Sequence, residues 1–238
     1  MTTHIVAMGG GGFSTSEGYR ATSLDRYILS LTDVPSPLVC FVPTASADSG
    51  LYISRFTNAY SHLRARTCVL TLWEGAADSV DRMDEVDVFV VGAGNTFNML
   101  ALWNAHGVSH LFAELAADTT RDVVLAGVGA GGAIWHEACT TDSYGRGIAA
   151  LNHGLGLVPG SFCPHYDSEA ARSPLFSRFV DLGELPSGWA ADNGAAVHYV
   201  DGTATEFLAE SEGSAIYRVQ QDEEGVGVTR QTMRVATD

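Results

Sequence analysis

Residues Val123 to Glu137, Val-Val-Leu-Ala-Gly-Val-Gly-Ala-Gly-Gly-Ala-Ile-Trp-His-Glu, run from an unbroken apolar stretch into glycines and then resume at helical spacing. The pattern predicts strand, sharp turn and helix. It constrains the chain to an α/β sheet that presents the turn at the carboxyl ends of its strands, where such folds place their chemistry. In a nucleophile elbow the turn reads Gly-x-Ser-x-Gly, with the serine on a strained turn and its oxygen exposed at the top of the sheet. Here Gly127-Val128-Gly129-Ala130-Gly131 keeps every part of that pattern except the nucleophile.

The rest of the chain supplies strands to build such a sheet. His4 to Met8, Leu38 to Val42, Cys68 to Leu72 and Val86 to Val91 read as strands, the last as a continuous apolar run of the kind buried on both faces of a parallel sheet. Between them, Ser23 to Thr32 (capped by Ser23), Tyr52 to Arg64, the stretch after Thr96 and Val108 to Thr119 carry helical spacing. Alternation of this kind predicts an α/β fold, a mostly parallel sheet with helices on both faces. Beyond Glu137 the helical signal thins. Short runs at Ala195 to Tyr199, Thr205 to Ala209 and Ala215 to Val219 predict a small antiparallel C-terminal extension, with residues 1–238 forming a single domain.

Composition narrows the function classes. The net charge is −15 and all 13 basic residues are arginine, which excludes lysine Schiff-base chemistry and a phosphate-loop lysine. The acidic balance argues against nucleic acid or an anionic membrane as partner. No apolar run approaches the length of a membrane span, and no basic region precedes the first strand, so a cytoplasmic protein is expected. The four cysteines, Cys40, Cys68, Cys139 and Cys163, lack metal-ligand spacing and read as reduced, mostly buried thiols. No metal and no cofactor are expected; a homodimer stays open.

Several motifs compete for the chemistry. Gly127-x-Gly129-x-x-Gly132 fits a dinucleotide fingerprint, but it follows what reads as the fifth strand, and no acidic residue ends a strand about 20 residues on. The run Gly9 to Gly12 lacks a following Gly-Lys-Ser/Thr and reads as a turn where backbones approach closely. His106 and His110 share metal-pair spacing with no third ligand and read as surface histidines near a helix junction. His165, stiffened by Pro164 in Phe162-Cys163-Pro164-His165-Tyr166-Asp167, and Asp142, shortly after the elbow, complete the order elbow, acid, histidine. Geometry rather than chain order defines a triad.

These residues resemble the peptidase E (alpha-aspartyl dipeptidase) and cyanophycinase family of serine peptidases. The likeness runs through Phe41-Val42-Pro43-Thr44-Ala45, Gly92-Ala93-Gly94-Asn95-Thr96, Ala126 to Gly131, Thr140-Thr141-Asp142-Ser143, Cys163-Pro164-His165 and Ala190 to Ala196. It implies a fold related to class I glutamine amidotransferases, flavodoxin-like in its three layers, and cleavage of peptides after an amino-terminal aspartate. Position 129 would be the serine nucleophile, His165 the general base and Asp142 its orienting acid. Gly94 and Ala130 would supply the oxyanion-hole N–H groups. Arg172 would hold the substrate's carboxylate, with Asn95 and Thr96 also in the binding site, and the partner would be a small acidic peptide.

Two departures stand out. Ala93 replaces the middle glycine of the family's Gly-Gly-Gly-Asn-Thr, and Gly129 replaces the nucleophile itself. Loss of a triad nucleophile typically costs on the order of a million-fold in turnover, so the chain is expected to be hydrolytically inactive or strongly impaired. Cys163, two residues from His165, is a weak substitute because it would leave the oxyanion hole unused; Thr141 and Ser143 read as loop hydrogen-bonders. Gly129 is either natural divergence, giving a non-hydrolytic relative that binds an acidic peptide or small molecule or runs another reaction, or an inactivating substitution. Alanine is the usual inactivating choice, and Gly132 and His136 also depart from the family pattern, which favours natural divergence.

Overall fold

In the computed structural model, which describes residues 2–76, 80, 83–223 and 225–237, the chain builds two sheets. Met1 and Asp238, the ends of the expected single domain, lie outside the described residues. Strands β1 (Thr3–Gly10), β2 (Leu38–Val42), β3 (Arg66–Val69), β4 (Val88–Val91) and β5 (Val123–Val128) pair in parallel in the order β1-β5-β4-β2-β3. All six residues of β5 are buried, as a strand flanked on both edges and covered on both faces requires.

Helices α1 (Ser23–Leu29) and α2 (Gly50–Tyr60) cover one face, packing Leu24, Ile28, Phe56 and Tyr60 on Val6, Val39, Phe41, Val88 and Val124. Helices α3 (Thr96–Ala105) and α4 (Val108–Ala117) cover the other with Met99, Trp103, Phe112 and Leu115. Thr22, not Ser23, caps α1: its N–H donates to the buried Asp25 Oδ2 at 2.8 Å. Burial pushes that carboxyl up to about 6.

The expected helix after the elbow is a single turn, α5 (Ala130–Ala133), and the chain re-enters extended structure at His136. The reason is space. A Cβ at Gly131 would lie 2.2 Å from the Val91 carbonyl oxygen, and one at Gly132 2.7 Å from that of Met8. The turn is thus pressed onto β4 and β1 and cannot extend along them. Its continuation, β6 (His136–Thr141), begins a second sheet with β7 (Ala149–Leu151), β8 (Val158–Cys163), β9 (Gly188–Ala191), β12 (Ile216–Asp222) and β13 (Gly225–Arg230), in the order β13-β12-β9-β8-β6-β7. This sheet is mixed: β6-β8 and β8-β9 pair in parallel, the others antiparallel. Helix α6 (Arg172–Asp181) packs Phe176 and Val180 against Ala138, Cys163 and Ala190 of this sheet.

The antiparallel strands expected near the C-terminus are divided between the sheets. β10 (Ala195–Val200) and β11 (Thr203–Ala209) extend the first sheet beyond β1, and β14 (Arg234–Val235) closes that edge. Among the described residues no helix is long and apolar enough to cross a membrane.

Candidate active site

The elbow sits at the carboxyl end of β5, between the ends of β1 and β4. Gly129 has φ 57° and ψ −113°, a region that side-chain-bearing residues occupy only under strain. The Gly129 N–H donates to the Met8 carbonyl at 3.0 Å, and its carbonyl accepts from Ala133 N at 2.9 Å. Ala130 opens α5, and the first N–H groups of a helix have no intrahelical acceptor.

His165 stands directly over this turn. A Cβ at position 129 would lie 2.9 Å from His165 Nε2 and 3.4 Å from the Ala93 methyl. The ring's other nitrogen, Nδ1, pairs with Asn193 Oδ1 at 2.7 Å. With that oxygen as acceptor, Nδ1 carries the proton and the unprotonated Nε2 faces position 129. The group that orients the imidazole is therefore an uncharged amide. Asp142, which the sequence assigns this task, lines the adjoining cavity instead.

Asn193 is itself held on three sides. Its N–H donates to Asp167 Oδ1 at 2.9 Å, its carbonyl accepts from Ser214 Oγ at 2.7 Å, and its side chain fills space that a Cβ on Gly10 would enter at 2.1 Å. The preceding Asp192 is buried; burial first, then the charge of Asp167, raises its carboxyl to about 6. The run Gly9 to Gly12 thus serves close backbone approach, as its sequence suggests: a Cβ on Gly9 would lie 2.3 Å from Ala191 O. His165 N also donates to Gly9 O at 3.2 Å.

A cavity of about 210 Å³ opens beside the elbow, lined by Gly94, Thr96, Ala130, Thr140, Thr141, Asp142, Pro164, His165, Glu169 and Arg172. Gly94 must be glycine, since its φ is 142° and a Cβ would meet Ala45 O at 2.2 Å. Asn95 caps α3, its Oδ1 accepting from Asn98 N at 2.8 Å. Its amide nitrogen donates to Ser143 O at 3.1 Å, and Thr96 N donates to Ser143 Oγ at 2.8 Å. Ser143 and Thr141 thereby tie the loop after β6 to the start of α3.

Arg172 is buried, with its side chain 4% exposed, and spends one edge of its guanidinium on Glu169: Nε lies 2.9 Å from Oε2 and one terminal nitrogen donates to Oε1 at 3.1 Å. The other terminal nitrogen lies 3.4 Å from Thr140 Oγ1. The cavity therefore offers one guanidinium and two carboxylates, Glu169 and Asp142.

The competing motifs find structural roles. Cys163 is wholly buried, and burial pushes its thiol up to about 12, far from a thiolate at neutral pH. His106 caps α3 and His110 pairs with the exposed Glu114 at 3.2 Å. The glycines of the dinucleotide-like pattern are used in packing: a Cβ on Gly127 would lie 2.1 Å from Gly131 O. Among the described residues no three of His, Cys, Asp and Glu converge as a metal-binding group. Sequence reasoning included Asn193 in the likeness over Ala190 to Ala196 but gave it no role; its signal was the place of Asp192-Asn193-Gly194 between two apolar strands.

Comparison with known proteins follows the same lines. The model of peptidase family S51 matches residues 5–207. The uncharacterized peptidase YgaJ of Bacillus subtilis (strain 168) is 41% identical over 220 residues, covering 92% of this chain and 93% of its own. A crystal structure of a peptidase from an acI-B1 Actinobacterium superposes with a TM-score of 0.71 at 12% identity, over 98% of this chain and 95% of that one. A putative peptidase E protein from Listeria monocytogenes EGD-e does so with a TM-score of 0.57 at 14% identity, over 98% and 100%. At those identities the two structures speak for the fold.

Proposed function

Because the chain belongs to peptidase family S51, we propose that it is a peptidase E-like protein that keeps a peptide-binding site and a poised base but lacks the nucleophile for serine-type hydrolysis. One observation carries the reading: His165 Nε2 lies 2.9 Å from where a side chain at position 129 would begin, and that position is glycine. A ring nitrogen so close to the root of that side chain is, once the ring gives way by a few tenths of an ångström, within reach of a hydroxyl carried there, and glycine supplies none. Gly94 and Ala130 are the candidate oxyanion donors beside it.

The ligand class follows from the cavity's charges. A side-chain carboxylate of a short peptide meets the Arg172 terminal nitrogen left beside Thr140, and an amino terminus meets Asp142 and Glu169. A small acidic peptide, handled in the cytoplasm without a cofactor, fits this set.

Calorimetry with Asp-Leu and Ala-Leu tests the reading, with Arg172→Ala as the variant. Asp-Leu should bind more tightly, and the variant should lose about 1.5 to 3 kcal/mol on Asp-Leu alone. Equal affinities for the two peptides would remove the acidic-ligand reading.

A further inference from the structure

Away from the elbow, where the two sheets meet, lies a second groove of about 610 Å³. Tyr199, Thr203 and Ala204 of β10 and β11 line it from the first sheet, and Glu137, Trp189 and Arg218 of β6, β9 and β12 from the second. It shares no lining residue with the cavity at the elbow. The turn between β10 and β11 closes one end, since a Cβ on Gly202 would lie 3.3 Å from Leu157 O. Val158, Pro159, Pro186 and Trp189 supply an apolar wall.

Glu137 and Arg218 are the charged side chains lining this groove. Arg218 is half-buried over the Trp189 ring, its guanidinium carbon 4.9 Å from the ring centroid, and among the described residues the guanidinium has neither an ion pair nor a hydrogen bond. Burial holds its pKa below the ordinary arginine value, and no carboxylate is among the groups that raise it. In a chain with 28 acidic residues against 13 arginines, this cation stands uncompensated. Glu137 is half used. Its Oε2 accepts from Gly160 N at 2.9 Å, which fixes the carboxylate at β8, and its other oxygen has no partner among the described residues. Strands β8 and β9 are paired neighbours, about 5 Å apart, so one small ligand can reach both the Glu137 carboxylate and the guanidinium over Trp189.

We propose that this groove is a binding site for a free α-amino acid with a large apolar side chain, its carboxylate on Arg218, its ammonium on Glu137 and its side chain on the apolar wall. The ligand class follows from the set. A guanidinium takes a carboxylate through two parallel hydrogen bonds, and an unpartnered carboxylate oxygen takes an ammonium. Opposite charges on so short a span, with an apolar substituent, describe an amino acid. The site is independent of the peptide-binding reading above.

Calorimetry on the full chain tests it with L-phenylalanine, with phenylalaninamide, which lacks the carboxylate, and with hydrocinnamate, which lacks the ammonium. L-Phenylalanine should bind with a Kd of about 1 mM or tighter, and each analogue about tenfold or more weakly. Arg218→Gln and Glu137→Gln each remove one charge, the second while keeping an oxygen for Gly160 N. Each variant, checked by melting, should weaken L-phenylalanine by about ten- to a hundredfold. No binding at about 10 mM, equal binding of all three compounds, or an affinity that survives both substitutions overturns the site and leaves Arg218 as a cover for Trp189. Binding lost in Arg172→Ala but kept in Arg218→Gln overturns it as well, because the amino acid then sits at the elbow.

Discussion

Putting serine at position 129 perturbs the molecule in two opposed ways that the structure sizes separately. The backbone there, at φ 57° and ψ −113°, costs about 1 to 3 kcal/mol for any residue with a side chain. In a chain of this size that lowers the melting temperature by roughly 2 to 12 °C. The new Cβ would also lie 2.9 Å from His165 Nε2, so the ring must retreat by about half an ångström to reach ordinary contact. That movement strains the 2.7 Å bond to Asn193. Against these costs, Gly129→Ser supplies the missing reactant, and the gain on Asp-Leu can reach the order of a million-fold. Alanine separates the two effects, because Gly129→Ala carries the same backbone and contact penalties with no hydroxyl. Hydrolysis should appear in the serine variant alone, while both variants melt below the glycine protein by similar amounts. If Gly129→Ala melts no lower than the parent, the strain argument is wrong. If the serine variant is folded, binds Asp-Leu and remains silent, the pocket is not a hydrolase short of its nucleophile.

Further outcomes follow from neighbouring residues. In the Gly129→Ser background, Asn193→Ala should lower kcat by on the order of 10² to 10⁴-fold and Asp142→Asn by much less, since the former frees the ring; the reverse order in a steady-state assay would make Asp142 the orienting group. His136 is buried, bonded to Tyr199 OH at 2.9 Å, and burial lowers its pKa to about 3. Its unfolded form takes a proton below about pH 6.5 and its folded form does not, so stability is lost as pH falls from about 6.5 toward 3, by about 2 kcal/mol at pH 5. Denaturant melts of wild type and His136→Gln at pH 7 and 5 isolate this slope, because Asp25, which acts with opposite sign between its ordinary value and about 6, is common to both; parallel slopes would refute it. Cys163 should resist a thiol reagent in the folded protein and react only on unfolding, as mass analysis of the labelled protein would show.

The elbow was legible because its information is local: four glycines within six residues state where backbones approach closely, and a Cβ added at Gly127, Gly131 or Gly132 would come within 3 Å of neighbouring backbone. His165 was legible because Pro164 precedes it and an apolar strand leads to it. The extent of α5 was not, since Ile134 and Trp135 continue a helical apolar rhythm while being buried for another reason, as the bend into β6. The second sheet was largely invisible because its parallel pairs, β6-β8 and β8-β9, join segments of mixed composition far apart in the chain. Asn193 escaped for a similar reason. A polar residue in a turn has many uses, and only the fold brings it to a histidine 28 residues away.

The site's two halves belong to different sheets, and this makes its geometry a gauge of how those sheets are seated. Gly129 and Ala130 ride on β5 of the first sheet, whereas His165 follows β8 of the second and Asn193 links β9 to β10. Contacts at Gly9 and Gly10, the bond between His136 and Tyr199, and the apolar filling around Trp135 and Phe162 tie His165 to the elbow across that seam. A small slide of one sheet on the other therefore translates directly into distance between Nε2 and position 129. Substitutions deep in the filling, remote from any ligand, would detune the base without altering a single residue that lines the cavity.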